Sequence, residues 1–315
     1  NEIKGTGGDY GVKASDFTSS NLRVKSSRPL PDILAGISYG DRFIDNRLGV
    51  IASVSYQNLN RGKNSGWYYR SAYMTNGVEH REYSDNRRRL AIHGKLDWMV
   101  SPQHKLSWYN GWLGMTNEQT RQAQDEKSAS VRMRWNRQGI FNSTLRGCHL
   151  LFNDRLRIEW KGVFSNATNR TPDNATVHVQ GNHLATSKAA VRRWEHNSDR
   201  DRAGYVDLSY AYSNWAFSAG GMFRSKKRNS FFNEYTFDSA TGNGDVQVFG
   251  QDWNNFDGIL IIPREFGNVG DPLNYDADET IAAGYAMAKL HMPNWEFIAG
   301  LRIENTSQGY SLKFP

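Results

Sequence analysis

The stretch Leu48-Gly49-Val50-Ile51-Ala52-Ser53-Val54-Ser55-Tyr56-Gln57 decides the fold class. Leu48, Val50, Ala52, Val54 and Tyr56 fall on one side of an extended chain, and Gly49, Ile51, Ser53, Ser55 and Gln57 on the other. A period of two is the signature of a strand with one apolar face, whereas a helix would repeat every 3.6 residues. The pattern returns four times. Leu90, Ile92, Gly94, Leu96 and Trp98 alternate with Arg89, Ala91, His93, Lys95 and Asp97. Leu156, Ile158, Trp160, Gly162 and Phe164 alternate with Arg155, Arg157, Glu159 and Lys161. Trp215, Phe217, Ala219, Gly221 and Phe223 form a third apolar face, and Trp295, Phe297, Ala299, Leu301 and Ile303 a fourth. None of these faces carries a charge. Weaker runs near 32–40, 105–115, 131–151, 203–210 and 280–291 bring the expectation to roughly ten strands and an all-β chain.

Composition narrows the class. The 315 residues include 39 Lys+Arg, 32 Asp+Glu, 38% hydrophobic residues and 13% aromatics, with a mean hydropathy of −0.70. No stretch approaches the roughly 18–20 consecutive apolar residues of a membrane-spanning helix, and residues 1–20 lack the apolar core of a signal peptide. The 10 Trp, 15 Tyr and 15 Phe exclude a disordered chain. A single cysteine, Cys148, excludes an intramolecular disulfide framework. The net charge of +7 permits binding to nucleic acid or anionic lipid, but acids and bases alternate locally without one basic block, so charge alone decides nothing; nucleic acid is not among the expected partners.

Alternation alone also describes a soluble sandwich or propeller, so the connections must arbitrate. Short links near 41–47, 101–104, 152–154, 211–213 and 292–294 take turns with long ones near 58–88, 116–127, 167–199 and 227–279. Every second connection is long. Transmembrane barrels have this asymmetry, with short periplasmic turns and longer extracellular loops, and strands of roughly 9–11 residues span the bilayer. A closed barrel also satisfies every backbone group in lipid. Tyr56, Trp98, Trp160, Phe164, Trp215, Phe223 and Trp295 then fall near the strand ends, where interfacial aromatic girdles lie.

Several stretches carry a family resemblance. Gly147-Cys148-His149-Leu150, with Leu156, Trp160, Phe164-Ser165, Ala167 and Pro172-Asp173 after it, resembles the middle of the barrel of TonB-dependent outer-membrane receptors. Asp207-Leu208-Ser209-Tyr210 and 217–228, with Gly220-Gly221 and Lys227-Arg228, resemble the next hairpin of that barrel. Residues 280–287 and 295–306, ending Gly300-Leu301-Arg302-Ile303-Glu304-Asn305-Thr306, resemble the one after. The likeness covers about Leu34 to Tyr310. It implies TonB-dependent uptake of a scarce nutrient (siderophore, cobalamin, oligosaccharide or peptide) across the outer membrane of a Gram-negative bacterium. It also implies contact with outer-membrane lipid, coupling to the TonB complex through a plug domain, and room for a surface lipoprotein partner. The family's barrel has about 22 strands. No plug precedes Asp32, and the chain stops at Lys313-Phe314-Pro315 just after a strand. The expectation is therefore an internal piece of a longer barrel, with residues 1–31 a loop or strand-connecting segment and 32–315 the barrel segment. A passive porin, or a structural or adhesive outer-membrane barrel without TonB coupling, is the alternative. A secreted glycan-binding or glycan-cleaving β-protein is a third class.

The chemical motifs point away from an enzyme. Gly36-Ile37-Ser38-Tyr39-Gly40 has the spacing of a nucleophile elbow, but that device needs a turn from strand into helix, and Ser38 lies within an alternating run. Gly5, Gly7, Gly8 and Gly11 lack dinucleotide-binding spacing. Asp252, Asn254, Asp257 and Gly258 resemble a calcium loop, but Phe256 replaces an oxygen ligand and no glutamate sits at the twelfth place. His178 and His183 do not share zinc-ligand spacing. No cofactor, metal or catalytic group is therefore assigned. Two groups of candidate residues remain. Arg89, His93, Lys95, Asp97, Arg155, Arg157, Glu159, Lys161, Arg302 and Glu304 are expected to face the barrel lumen. Trp67, Tyr68, Tyr69, Arg70 and Tyr73, with Phe231, Phe232, Tyr235, Trp253 and Phe256, are aromatic-rich loop candidates for ligand contact, since such rings stack on sugars and carry hydrogen-bonding tips. Packing of the loops on one another is the competing role for these rings.

Overall fold

The computed structural model describes residues 24, 26–71, 74–126, 128–180, 183–184, 190–239, 259–264, 267–268, 271–272 and 274–313. Every regular element among them is a strand. They are β1 (Ile33–Phe43), β2 (Leu48–Ser71), β3 (Met74–Ser101), β4 (His104–Gln124), β5 (Ser128–Leu151), β6 (Leu156–Gln180) and β7 (His183–Leu184), followed by β8 (Ala190–Tyr212), β9 (Trp215–Ser239), β10 (Ile259–Arg264), β11 (Gly267–Asn268), β12 (Asp271–Pro272), β13 (Tyr275–His291) and β14 (Glu296–Leu312). Ten of them form one antiparallel up-and-down sheet in the order β1-β2-β3-β4-β5-β6-β8-β9-β13-β14. β7 adds to β6 and β10 to β9, and β11 pairs with β12. The sheet does not close, and β1 and β14 are its two edges.

Register puts the expected faces together. Leu48 pairs with Trp98, Val50 with Leu96, Ala52 with Gly94, Val54 with Ile92 and Tyr56 with Leu90. Trp98 in turn pairs with Leu106, Leu96 with Trp108 and Ile92 with Trp112. The apolar face continues through Leu156–Tyr210, Ile158–Leu208 and Trp160–Val206, then Phe217–Ala288 and Ala219–Ala286, to Ala286–Leu301 and Gly284–Ile303. Its polar interruptions are local. The Trp108 indole donates to Ser143 Oγ at 3.2 Å, and the Tyr39 hydroxyl to Asp41 Oδ2 at 3.2 Å. Near the turns, Trp160 Nε1 donates to His149 Nε2 at 3.0 Å, and His149 Nδ1 lies 3.1 Å from His104 Nδ1. Gly147, opposite Trp160, leaves the space in which that indole lies.

The apolar band has one height. Ten residues separate Leu48 from Asn58, Trp98 from Arg88, Leu106 from Thr116, Leu156 from Asn166, Tyr212 from Arg202, Trp215 from Ser225 and Leu290 from Thr280. In each pair the second residue is the first polar side chain on that face, except on β4, where Asn110 interrupts the band opposite Ser143. Ten residues are about 33 Å of strand at ~3.3 Å per residue. Within the band large apolar residues stay open to the surroundings, with Ile37 74% exposed, Phe223 57% and Val206 47%.

The strands do not stop where the band stops, and this corrects the long loops expected at 58–88 and 116–127, whereas those expected at 167–199 and 227–279 are strand up to Gln180 and Ser239 and fall in part outside the described residues. Residues 58–88 and 116–127 are almost wholly paired strand, with only 72–73 between β2 and β3 and 125–127 between β4 and β5. β2, β3, β5, β6, β8 and β9 run 23–28 residues, against the roughly 9–11 of a bilayer span. Beyond the band both faces carry polar side chains, so the hydrophobic alternation fades, while the ladder of backbone hydrogen bonds continues without it. The buried core lies here, in Ala123, Val131, Ala175, Val177, Ala190, Trp194, Phe232, Tyr235 and Phe237.

The expected short turns are present. In the β1–β2 turn Ile44, Asp45 and Asn46 have φ of 57°, 52° and 63°, and in the β5–β6 turn Phe152, Asn153 and Asp154 have 53°, 56° and 63°. Asp and Asn tolerate this left-handed region, which bulky side chains rarely adopt. Each turn closes through an arginine amide, Arg47 N donating to Ile44 O at 3.0 Å and Arg155 N to Phe152 O at 3.3 Å.

Candidate functional site

The charged residues expected on one side of the sheet do share one face. Arg89, His93, Lys95 and Asp97 pair with Gln57, Ser53, Ile51 and Gly49, all opposite the apolar band. Arg157, Glu159 and Lys161 pair with Ser209, Asp207 and Tyr205, and Arg302 and Glu304 with Tyr285 and Ala283. Arg155 falls in the turn before β6.

On this polar face the period of two brings opposite charges together. Lys95 Nζ lies 2.6 Å from Asp97 Oδ2, and Ser107 donates its hydroxyl proton to the same carboxylate. Arg157 pairs with Glu159, which also receives Arg146 Nη2 at 2.8 Å. Arg302 Nη2 meets Glu304 Oε2 at 2.5 Å. Lys161 Nζ sits 4.3 Å over the Tyr205 ring, and His93 lies edge-on to Tyr109 with ring centroids 6.3 Å apart. Lys95, Asp97, Lys105, Arg146, Cys148 and Arg157 border a cleft of about 360 Å³. One contact spans two strand spacings. Tyr285 of β13 donates to Asp207 Oδ1 of β8 at 2.7 Å, passing over Gly220 of β9, where a Cβ would stand 2.5 Å from that oxygen and 2.6 Å from the Tyr285 ring. Exposed ion pairs of this kind add little stability singly. Together they make a mixed-charge surface suited to hydrogen-bonding a polar partner.

The aromatic candidates divide between the two faces. Trp67 is on the polar face, opposite Glu79, with the Arg81 guanidinium 4.4 Å from its ring. Phe232 shares that face but is buried, with Arg193 5.2 Å from its ring and its backbone N–H and C=O bonded to the Asn274 side-chain amide at 2.7 and 2.8 Å. Tyr68, 81% exposed, points to the opposite face, as do Phe231, which is half-buried, and Tyr235. Tyr235 has no exposed surface and packs edge-on against Trp194 at 6.0 Å between ring centroids, a core contact. The side chains of Tyr69 and Arg70, and the whole of Tyr73, Trp253 and Phe256, lie outside the described residues.

A group of cations escaped the sequence reading. Beyond the band, the polar face holds Arg81, Arg121, Arg132, Arg134, His178 and Arg193, positioned by β3, β4, β5, β6 and β8. Arg121 stands directly opposite Arg132. Loss of hydration, then the charges of Arg121 and Arg134, hold the Arg132 guanidinium below its usual pKa. Partial desolvation and Arg121 likewise lower that of His178. The available signal was the Arg132-Met133-Arg134 spacing, which puts two cations on one face of a strand. No sequence pattern showed that Arg121, eleven residues earlier, would register against it.

Among the described residues no three His, Cys, Asp or Glu side chains are placed to hold a metal ion. Ser38 lies within β1, paired with Ser53, and not at a strand-to-helix turn. The chain matches no known protein family and no curated protein.

Proposed function

We propose that this chain forms part of the wall of an outer-membrane transport barrel that takes up a scarce nutrient by TonB-dependent transport. The observation that carries the reading is the apolar band, ten residues high on seven strands and crossing the sheet with interruptions at Asp41, Asn110 and Ser143. At a strand tilt of about 40°, its ~33 Å of strand projects to about 25 Å, the height of the apolar belt of outer-membrane barrels. Uniform height is what a bilayer imposes. A protein partner would leave a patch of its own outline. The opposite face, with its Lys95–Asp97, Arg157–Glu159 and Arg302–Glu304 pairs, becomes the lumen wall against which a plug domain seats through hydrogen bonds and ion pairs. The two open edges, β1 and β14, are where the remaining strands of a larger barrel add. The strand extensions beyond the band then rise on the extracellular side and carry the ligand contacts. Pulling on the plug through TonB releases the nutrient inward.

The test is gel migration of the full-length native protein from an outer-membrane fraction, unboiled against boiled in detergent. A shift on boiling supports the barrel. Recovery in the soluble fraction without a shift overturns it. Loss of uptake in cells lacking TonB then separates this reading from a passive porin or an adhesive barrel.

A further inference from the structure

The like-charged pair Arg121 and Arg132 needs an explanation. Like charges directly opposite on a sheet face repel, and no carboxylate among the described residues compensates either one. The acids nearby are engaged elsewhere. Glu79 takes Arg81 Nε at 2.6 Å, Asp85 takes the Gln119 amide at 2.9 Å, and Glu234 and Glu195 take Arg193 at 2.5 and 3.6 Å. Arg132 Nη2 reaches only the neutral Gln119 Oε1, at 2.6 Å. The Arg121 side chain makes no hydrogen bond or ion pair among the described residues. The Nε atoms of both arginines are buried without a partner, and a buried N–H donor normally has one. Arg134 lies two residues beyond Arg132 on the same face, Arg81 stands opposite Ala123, and His178 stands opposite Ser130. Arg121, Arg132, Arg134, Arg81 and His178 thus cluster on one face, with the Tyr83 phenol across from Arg121 on β3.

We infer that Arg121 and Arg132 are the two jaws of a binding site for a small free oxyanion, a carboxylate or a phosphate, with Arg134, Arg81 and His178 as its rim. Cross-strand neighbours have Cβ atoms about 4.5–5.5 Å apart, so one anion can accept from both forks at once. A guanidinium offers parallel N–H donors that match the two oxygens of a carboxylate or phosphate. The anion turns the repulsion into two charge-assisted bonds and supplies acceptors to the stranded Nε donors. It is a soluble species and not a lipid headgroup, because these side chains lie on the face opposite the apolar band. The site's role in uptake rests on the transport reading, in which the cargo, or the group by which it is held, is anionic. Anion binding itself rests only on the side chains.

Isothermal titration calorimetry tests it on the full-length protein in lipid-free, low-salt detergent solution, with citrate and inorganic phosphate as probes. The wild type should bind at least one of them. Arg121→Gln and Arg132→Gln together should weaken that binding at least tenfold, and Arg302→Gln should change it by less than twofold. Thermal unfolding gives a second readout. In anion-free buffer Arg121→Gln should raise the midpoint by relieving repulsion, and should abolish the rise that the anion produces in the wild type. Absence of binding of either probe to the wild type, or unchanged binding by the double variant, overturns the site. Gel migration on the same preparations separates the two readings. A heat-shifted protein that binds no oxyanion keeps the barrel and loses the site, whereas Arg121-dependent binding without a heat shift does the reverse.

Discussion

Phe223 and Tyr235 lie on the same face of the same strand, twelve residues apart, and have opposite surroundings. Phe223, within the apolar band, is 57% exposed, whereas Tyr235, beyond it, has no exposed surface. β8 repeats the contrast, with Val206 47% exposed and Trp194 3%. One half of each strand thus keeps its apolar side chains on an open surface and the other half buries them in a core. The same period of two serves two surroundings. In the band, apolar side chains stay on an open surface, which the transport reading assigns to lipid. Beyond it they pack on one another, around the buried Arg192–Asp173 pair, bonded at 3.0 and 2.6 Å.

That contrast can be broken by substitution. The largest effect is expected at Tyr235→Ala, which empties a fully buried site and should cost about 3–5 kcal/mol. Phe223→Ala should cost only about 1–2 kcal/mol, because no protein cavity is left behind. Equal losses in denaturant unfolding would erase the distinction between the two halves. Next comes charge at mid-band. Ala52→Arg should lower folding stability in bilayers by about 2–4 kcal/mol, while Ser53→Arg on the other face should be tolerated. If both insert equally well, the band does not face lipid. Gly147→Val should cost about 1–3 kcal/mol by overpacking, since a side chain there collides with the Trp160 indole and displaces it from His149. Tryptophan fluorescence would follow that displacement.

The smallest effect is set by pH, beyond the band. Arg228 bonds Asp199 through Nε and Nη2, both at 2.7 Å, and that hydrogen bonding leads in holding the Asp199 carboxyl below its usual pKa, against the cost of partial burial. A carboxyl lowered on folding stabilises at pH values above its unfolded value, near 3.9, and that contribution disappears as the pH falls through the lower folded value. Both side chains are partly exposed, so the contribution is at most about 1 kcal/mol. The difference in thermal midpoint between wild type and Asp199→Asn should be present at pH 6 and vanish in strong acid. A difference that persists at low pH would rule the ion pair out as its source.

Much of this was legible in the chain. Leu48 to Gln57 and its relatives named the strands, their facing and the short turns, because one apolar side per strand leaves a period that no other structure produces. The Lys95–Asp97, Arg157–Glu159 and Arg302–Glu304 pairs were legible for the same reason, being two residues apart. The strand extensions were not. Asn60, Asp85, Gln119 and Arg134 alternate nothing hydrophobic, and only backbone pairing makes them strand. The aromatic candidates failed to form one platform for a related reason. Neighbours such as Trp67 and Tyr68, or Phe231 and Phe232, point to opposite faces once the segment is a strand and not a loop.

The amino-acid sequence by itself determined the class of element, the two faces and the level at which apolar gives way to polar, since each follows from side chains a few residues apart. Only the tertiary structure decided which residues meet across strands, namely Arg121 against Arg132, Arg192 against Asp173 and Tyr285 over Gly220 to Asp207. Those meetings depend on register, and register is summed over whole hairpins, including the slips between Trp135 and Arg137 and between Thr171 and Asn174. A slip of one residue there turns every later side chain to the other face.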